Sequence, residues 1–266
     1  MIKSTYYKKI EFKPTNYPSD LTDKEWEIIE EFFPIGNKSE HHKRSLVNAV
    51  FYIEKTGCQW CQLPHDYPPY STVWSFYRRA RESGLREKIM DALVKKARET
   101  ARRKASPSYG IIDSQSTKTI SASEGRGIDG EKKVKGRKRH IVVDIMGNLL
   151  SVTVHAVNIH DTKSGINPAR KAFEKYPTIE KFCGDEGYRK SFEDDVLSEL
   201  GLSVDISARI NPGWEVLPKR WVVERTFAWM NNSRRLSKDY EIATESEEAF
   251  VIISHLHTLL RRLGKL

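Results

Sequence analysis

The chain has 266 residues, of which 38% are hydrophobic, 30% charged and 10% aromatic. That composition supplies a core for one large or two modest domains and excludes a disordered chain, while three cysteines exclude a disulfide framework. The formal charge of +9 favours a polyanionic partner, nucleic acid first; with no apolar signal core and no apolar run of membrane-spanning length, a cytoplasmic protein is expected.

Residues 1–16 read as a polar, flexible arm. A helix then opens at Leu21-Thr22-Asp23-Lys24-Glu25-Trp26, with Thr22 and Glu25 as a capping box and Leu21 stapled to Trp26, and stops at Pro34. A second helix is predicted over Arg44–Thr56, with Leu46, Val50 and Ile53 on one face and Gly57 as its cap. A third starts near Ser71, and a fourth, basic one runs from Leu85 to Lys104. Residues 17–105 thus form an all-helical domain ending in the polar string ARRKASPSYG.

The pattern changes over 106–266. YGIID is a short apolar strand, and KRHIVVDI and LLSVTVHAV alternate around a Gly147-Asn148 turn. A helix over Asp161–Tyr176, the strand IEKFCGD, a helix over Phe192–Leu200, the strand LSVDIS and a helix over Leu217–Leu236 follow. The last helix opens with a capping box, Thr244 to Glu247, and lays Ile252, Leu256, Leu259 and Leu263 along one face. Three strands followed by alternating helix and strand is the order of an RNase H-like α/β domain, a mixed sheet with flanking helices.

Asp113 and Asp185 stand at the ends of predicted apolar strands, where open α/β sheets place their ligands. Converging carboxylates stay ionised beside a cation, and oxygen-ligated Mg²⁺ or Mn²⁺ suits them. Each acid alone reads more readily as a strand-end cap or turn residue. Glu224 interrupts an apolar helical run, RWVVERTFAWM, and shares a helical stripe with Arg220, Asn231 and Arg235; a surface ion pair with Arg220 is the simpler alternative. Asp144, Asp161 and Glu186 are rival acids, Asp144 foremost. The single CxxC, Cys58 to Cys61, has His65 nearby but lacks a fourth zinc ligand.

RWVVERTFAWM followed by RRLSKDYE resembles the C-terminal signature of insertion-sequence DDE transposases of the family numbered five, in the IS4/IS5-like superfamily. LTDKEWEIIEEFFP, YIEKTGCQWCQLP, IIDSQSTKT, KKVKGRKRHIVVDIMGNLL and CGDEGY are similar to further blocks of that family, so the resemblance covers nearly the whole chain. It implies an RNase H-like catalytic domain with Asp113, Asp185 and Glu224 as the metal-holding triad. It further implies two Mg²⁺ or Mn²⁺ ions per site, and cleavage at transposon ends followed by joining of the 3′ hydroxyl to target DNA. Terminal inverted repeats and target DNA are the implied partners, bound by a homodimer or larger assembly near the nucleoid of a bacterial or archaeal cell. Two positions depart from the family pattern, which often has Tyr where Leu217 stands and Lys where Asn231 stands; Arg234 or Arg235 is expected to take over the Lys contact with DNA.

Cations complete the expected DNA surface. Lys132, Lys133, Lys135, Arg137, Lys138 and Arg139 form a dense run read as a phosphate-tracking loop, with Lys118 and Arg220 nearby. In the helical part, Trp74, Tyr77, Arg78 and Arg79 either face a DNA groove or, for the aromatics, belong to the core. A nuclease of the same fold that cuts without joining, and a DNA-binding regulator without activity, are the alternatives; the second predicts a missing acid.

Overall fold

A computed structural model describes residues 11–33, 40–130, 133–207 and 220–265, with the backbone alone at Arg220. Most of the arm, Pro34, Lys132, Leu217 and the Arg220 side chain therefore lie outside the described residues. Four helices come first: α1 (Asp23–Ile29), α2 (Lys43–Thr56), α3 (Tyr70–Glu82) and α4 (Leu85–Thr100). The Thr22–Glu25 capping box forms, and Gly57 closes α2 in the left-handed conformation that glycine adopts without strain.

The remainder is β1 (Tyr109–Lys118), β2 (Gly127–Asp129), β3 (Val134–Val143), β4 (Leu149–Ala156), α5 (Asp161–Ser164), α6 (Ile166–Lys175), β5 (Lys181–Asp185), α7 (Ser191–Leu200), β6 (Ser203–Ser207), α8 (Arg220–Met230) and α9 (Thr244–Leu263). β1 lies between β3, to which it is antiparallel, and β5, to which it is parallel; β6 extends the parallel side, and β2 and β4 pair with β3. The principal strand order is therefore β4–β3–β1–β5–β6. At the β3–β4 turn Gly147 has φ +80°, and the fully buried Asp144 accepts from the N–H groups of Met146 and Asn148.

α6 packs against one face of the sheet, where Ser151 donates to the carbonyl of Pro168, and α8 and α9 cover the other. α9 is also wedged against α1, α2 and α4, so one continuous core runs from Leu21 to Leu263 and the sequence break near residue 105 is not a break in packing. This position explains two departures. α9 is buried nearly all round rather than on one face, and its expected capping box is absent: Ala243 is the N-cap, while Glu247 turns inward to Arg139. Two expected helices are also shorter. Gly165 separates α5 from α6, and α8 stops at Met230 before the polar Asn231-Asn232-Ser233, residues that compete with helical backbone bonding. Among the described residues no helix is long and apolar enough to cross a membrane.

Candidate active site

The register of β1 against β5 pairs Tyr109 with Lys181, Gly110 with Phe182 and Ile111 with Cys183. Asp113 and Asp185 each stand two residues further on. Because side chains alternate along a strand, both acids project to the face of Ile111 and Cys183, from neighbouring strands about 4.8 Å apart. Asp113 does not end its strand as expected: β1 parts from β5 there but stays paired with β3 as far as Lys118. Both acids are half-buried and line one crevice with Ile111, Ile112, Cys183, Gly184, Ser207 and Val223. Asp113 accepts from the Ser114 N–H at 2.7 Å, and Asp185 accepts from the Gly187 N–H at 2.9 Å.

α8 closes the crevice with Val223, and Glu224 is the next residue. α8 buries Val222, Val223, Thr226, Phe227 and Met230, and Glu224 is exposed, in line with its simpler reading as a surface acid. The third acid thus stands at the rim. Among the described residues no group of three His, Cys, Asp or Glu gathers at metal-holding distance, so the crevice brings together two of the three expected carboxylates. Their donors are hard oxygens, joined by the Ser207 hydroxyl, which lies 3.3 Å from the Cys183 thiol. Such a set fits Mg²⁺ or Mn²⁺.

A buried polar cluster backs the acids on the other face of the sheet. The Tyr188 ring lies against the Cα of Gly184, where an added Cβ would come within 2.9 Å of it, and its hydroxyl is 2.7 Å from His140 Nε2. Burial first, and then the charges of Asp113, Asp161 and Asp185, push the Tyr188 phenol well above its ordinary value. Burial lowers His140 to about 3, so it stays neutral. Asp161 accepts from Ser114 Oγ and Lys138 Nζ, each at 2.9 Å, while His160 caps α5. Burial tends to raise the Asp161 carboxyl, and Lys138 outweighs it and holds it low. In the sequence, Tyr188 shows only as an aromatic four residues after the strand glycine Gly184 in CGDEGY, a spacing that does not by itself place it behind the acids.

The cationic run is revised by burial. Among the described residues its start is exposed, at Lys133 in the turn before β3 and at Lys135 within β3. Arg137, Lys138 and Arg139 are 0%, 6% and 1% exposed in β3 and pair with Asp239, Asp161 and Glu247. Arg235 is likewise buried, bonded to Glu241 and to the carbonyl of Cys58, and lies 4.9 Å from the Phe250 ring centre. Charges out of water require partners, and these four have them inside the fold. Lys118 and Arg234 are exposed, as are Arg78 and Arg79 on α3, where Tyr77 is core and Trp74 remains 41% exposed.

The rival acids have structural partners. Asp144 forms a fully buried pair with Arg98, and exposed Glu186 faces Arg189 at 3.8 Å. Cys58 and Cys61 are both free thiols.

Comparisons with known proteins place the chain in a family. A family model described as "Transposase DDE domain" matches residues 104–259, and another, "Putative transposase of IS4/5 family", matches residues 21–90. The chain is 29% identical over 128 residues to the "Putative transposase for insertion sequence element IS402" of Burkholderia cepacia, covering 44% of this chain and 59% of that one. It is 28% identical over 81 residues to the uncharacterized protein y4sN of Sinorhizobium fredii, covering 29% of this chain and 65% of that one. The chain therefore spans about three fifths of the length of these curated relatives. No solved structure matches it significantly.

Proposed function

The chain belongs to the transposase DDE-domain family, and from that premise we propose that it binds the ends of a mobile element, cleaves the DNA there and joins the freed 3′ hydroxyl to target DNA. The observation that carries this reading is the level placement of Asp113 and Asp185 on adjacent parallel strands, in one crevice walled by the helix of Glu224. The strand order, with β4, β3 and β1 antiparallel and β5 and β6 added in parallel, supports an RNase H-like catalytic fold.

Asp113 and Asp185 would hold Mg²⁺ or Mn²⁺, two ions per site, with Glu224 approaching from α8. When bound there, such ions lower the pKa of an attacking water or hydroxyl and stabilise charge on the attacking and leaving oxygens. The protein's own part is to set the acids level, to keep their backs rigid through Ser114 and Tyr188, and to steer the phosphodiester. Exposed Lys118, Lys133, Lys135 and Arg234 supply sequence-independent backbone contacts. Trp74, Arg78 and Arg79 on α3 offer a separate face for the terminal repeats. Because two ends must be cut together, a dimer or larger assembly on DNA completes the reading.

The test is to incubate purified protein with end DNA of its element and Mg²⁺ and map nicks, then to repeat with precut ends. Nicking followed by strand transfer is the expected result; nicking without transfer reduces the activity to that of a nuclease, and neither defeats the reading.

A further inference from the structure

Two guanidinium groups lie against the ring of Trp229 in α8. Arg225 is 4.7 Å from its centre and Arg262, from the last turn of α9, is 5.2 Å away; Arg225 is also 4.5 Å from the centre of the half-exposed Trp221. Their polar partners are neutral. Arg225 Nη2 donates to the carbonyl of Met146 at 2.9 Å, and Arg262 Nη1 donates to Asn148 Oδ1 at 3.5 Å. Arg225 Nε is buried without a partner.

The carboxylate that faces both is Asp144, and it is already engaged by Arg98, by the Asn148 amide and by two backbone N–H groups. Three guanidinium groups thus share one carboxylate. Burial first, and then repulsion by Arg225, lowers the proton affinity of Arg262, and Asp144 offsets this only in part. A stacked aromatic ring attracts a cation but does not neutralise it. Each guanidinium has five donors and commits one, while both side chains keep part of their surface in solvent.

We propose that Arg225 and Arg262 form a phosphate site for the DNA backbone beside the β3–β4 turn. Val223 lines the crevice, whereas Arg225, two residues on and roughly 200° round α8, reaches the turn at Met146, so the pair would be a second backbone contact, apart from the one at the crevice. The Trp229 and Trp221 rings fix the planes of the guanidinium groups, which suits them to bidentate phosphate recognition. This inference rests on the reading of the protein as a DNA-processing enzyme.

The experiment titrates the full chain against a short fluorescent duplex of mixed sequence in EDTA, by anisotropy across a salt series. Arg225→Gln with Arg262→Gln is expected to weaken binding by roughly tenfold or more and to lower the salt slope by about 0.9 per lost contact. Arg262→Ala, whose one polar bond is the long one to Asn148, covers the case in which the double variant melts, and Arg262→Lys should keep the slope. Arg170→Gln, in an ion pair with Glu199, should change neither quantity. A folded Arg262→Ala protein with unchanged affinity and slope overturns the phosphate site while leaving the enzyme reading intact. Wild-type protein that ignores the duplex overturns both.

Discussion

Asp113 and Asp185 stand level with one another, each two residues beyond the laddered pair Ile111–Cys183, on strands that share a crevice under α8. Changing either to Asn keeps volume and hydrogen bonding but removes the charge. Cleavage should fall by about three orders of magnitude, since several kcal/mol of transition-state stabilisation is withdrawn. Nick mapping and Mn²⁺ binding by electron paramagnetic resonance check this. Full cleavage by Asp185→Asn in Mg²⁺ would sink the assignment.

The basic run should divide into two kinds of residue. Lys133→Gln and Lys135→Gln are expected to lower the salt slope of duplex binding by about 0.9 each without altering the melt. Arg137→Gln leaves Asp239 buried and unpaired and should destabilise the fold by about 3–5 kcal/mol. Urea denaturation beside anisotropy separates the two effects; equal stability of all three variants would contradict the burial argument.

Arg139 joins β3 to α9 through Glu247 and also donates to the carbonyl of Leu236 at 2.8 Å. Glu247→Leu alone strands a buried guanidinium and should cost about 3–5 kcal/mol, whereas Arg139→Met combined with Glu247→Leu should return most of it. A double-mutant cycle measures this coupling, and additive losses would show that the pair is not the link between sheet and helix.

Acid should loosen the protein through its buried histidines. Burial holds His140 and His255 at about 3, against an ordinary 6.5. The unfolded chain therefore binds protons that the fold refuses. The stability tied to each is complete above about 6.5 and is lost as the pH falls toward 3, at up to about 1.4 kcal/mol per pH unit for each group. His255→Gln keeps an acceptor for the Leu149 N–H that His255 Nε2 now receives and should flatten the acid limb in urea titrations at successive pH values. An unchanged limb would show that His255 already protonates within the fold.

Local chemistry was legible where it is local. The Thr22–Glu25 box, the Gly57 cap, the β3–β4 turn at Gly147 and the strand character around Asp113 and Asp185 depend on neighbours a few residues away, and the structure has them. Charge was not legible in this way. Six cations within eight residues read as a phosphate-tracking loop running into the strand KRHIVVDI, yet three of them point into partners supplied by Asp161, Asp239 and Glu247, far along the chain. Glu224 was open to two readings, and its exposure favours the surface one, since an acid in an apolar run still reaches solvent from the open side of an amphipathic helix.

By itself the sequence determined the elements, the two strand acids and the family blocks, because backbone preference and side-chain periodicity act over short spans. Tertiary structure decided which acids share a crevice, which cations remain at the surface, and that α9 belongs to both the helical part and the sheet. Those outcomes follow from register and burial: partners distant in sequence satisfy a charge or hide an apolar face only once the strands and helices have been brought together.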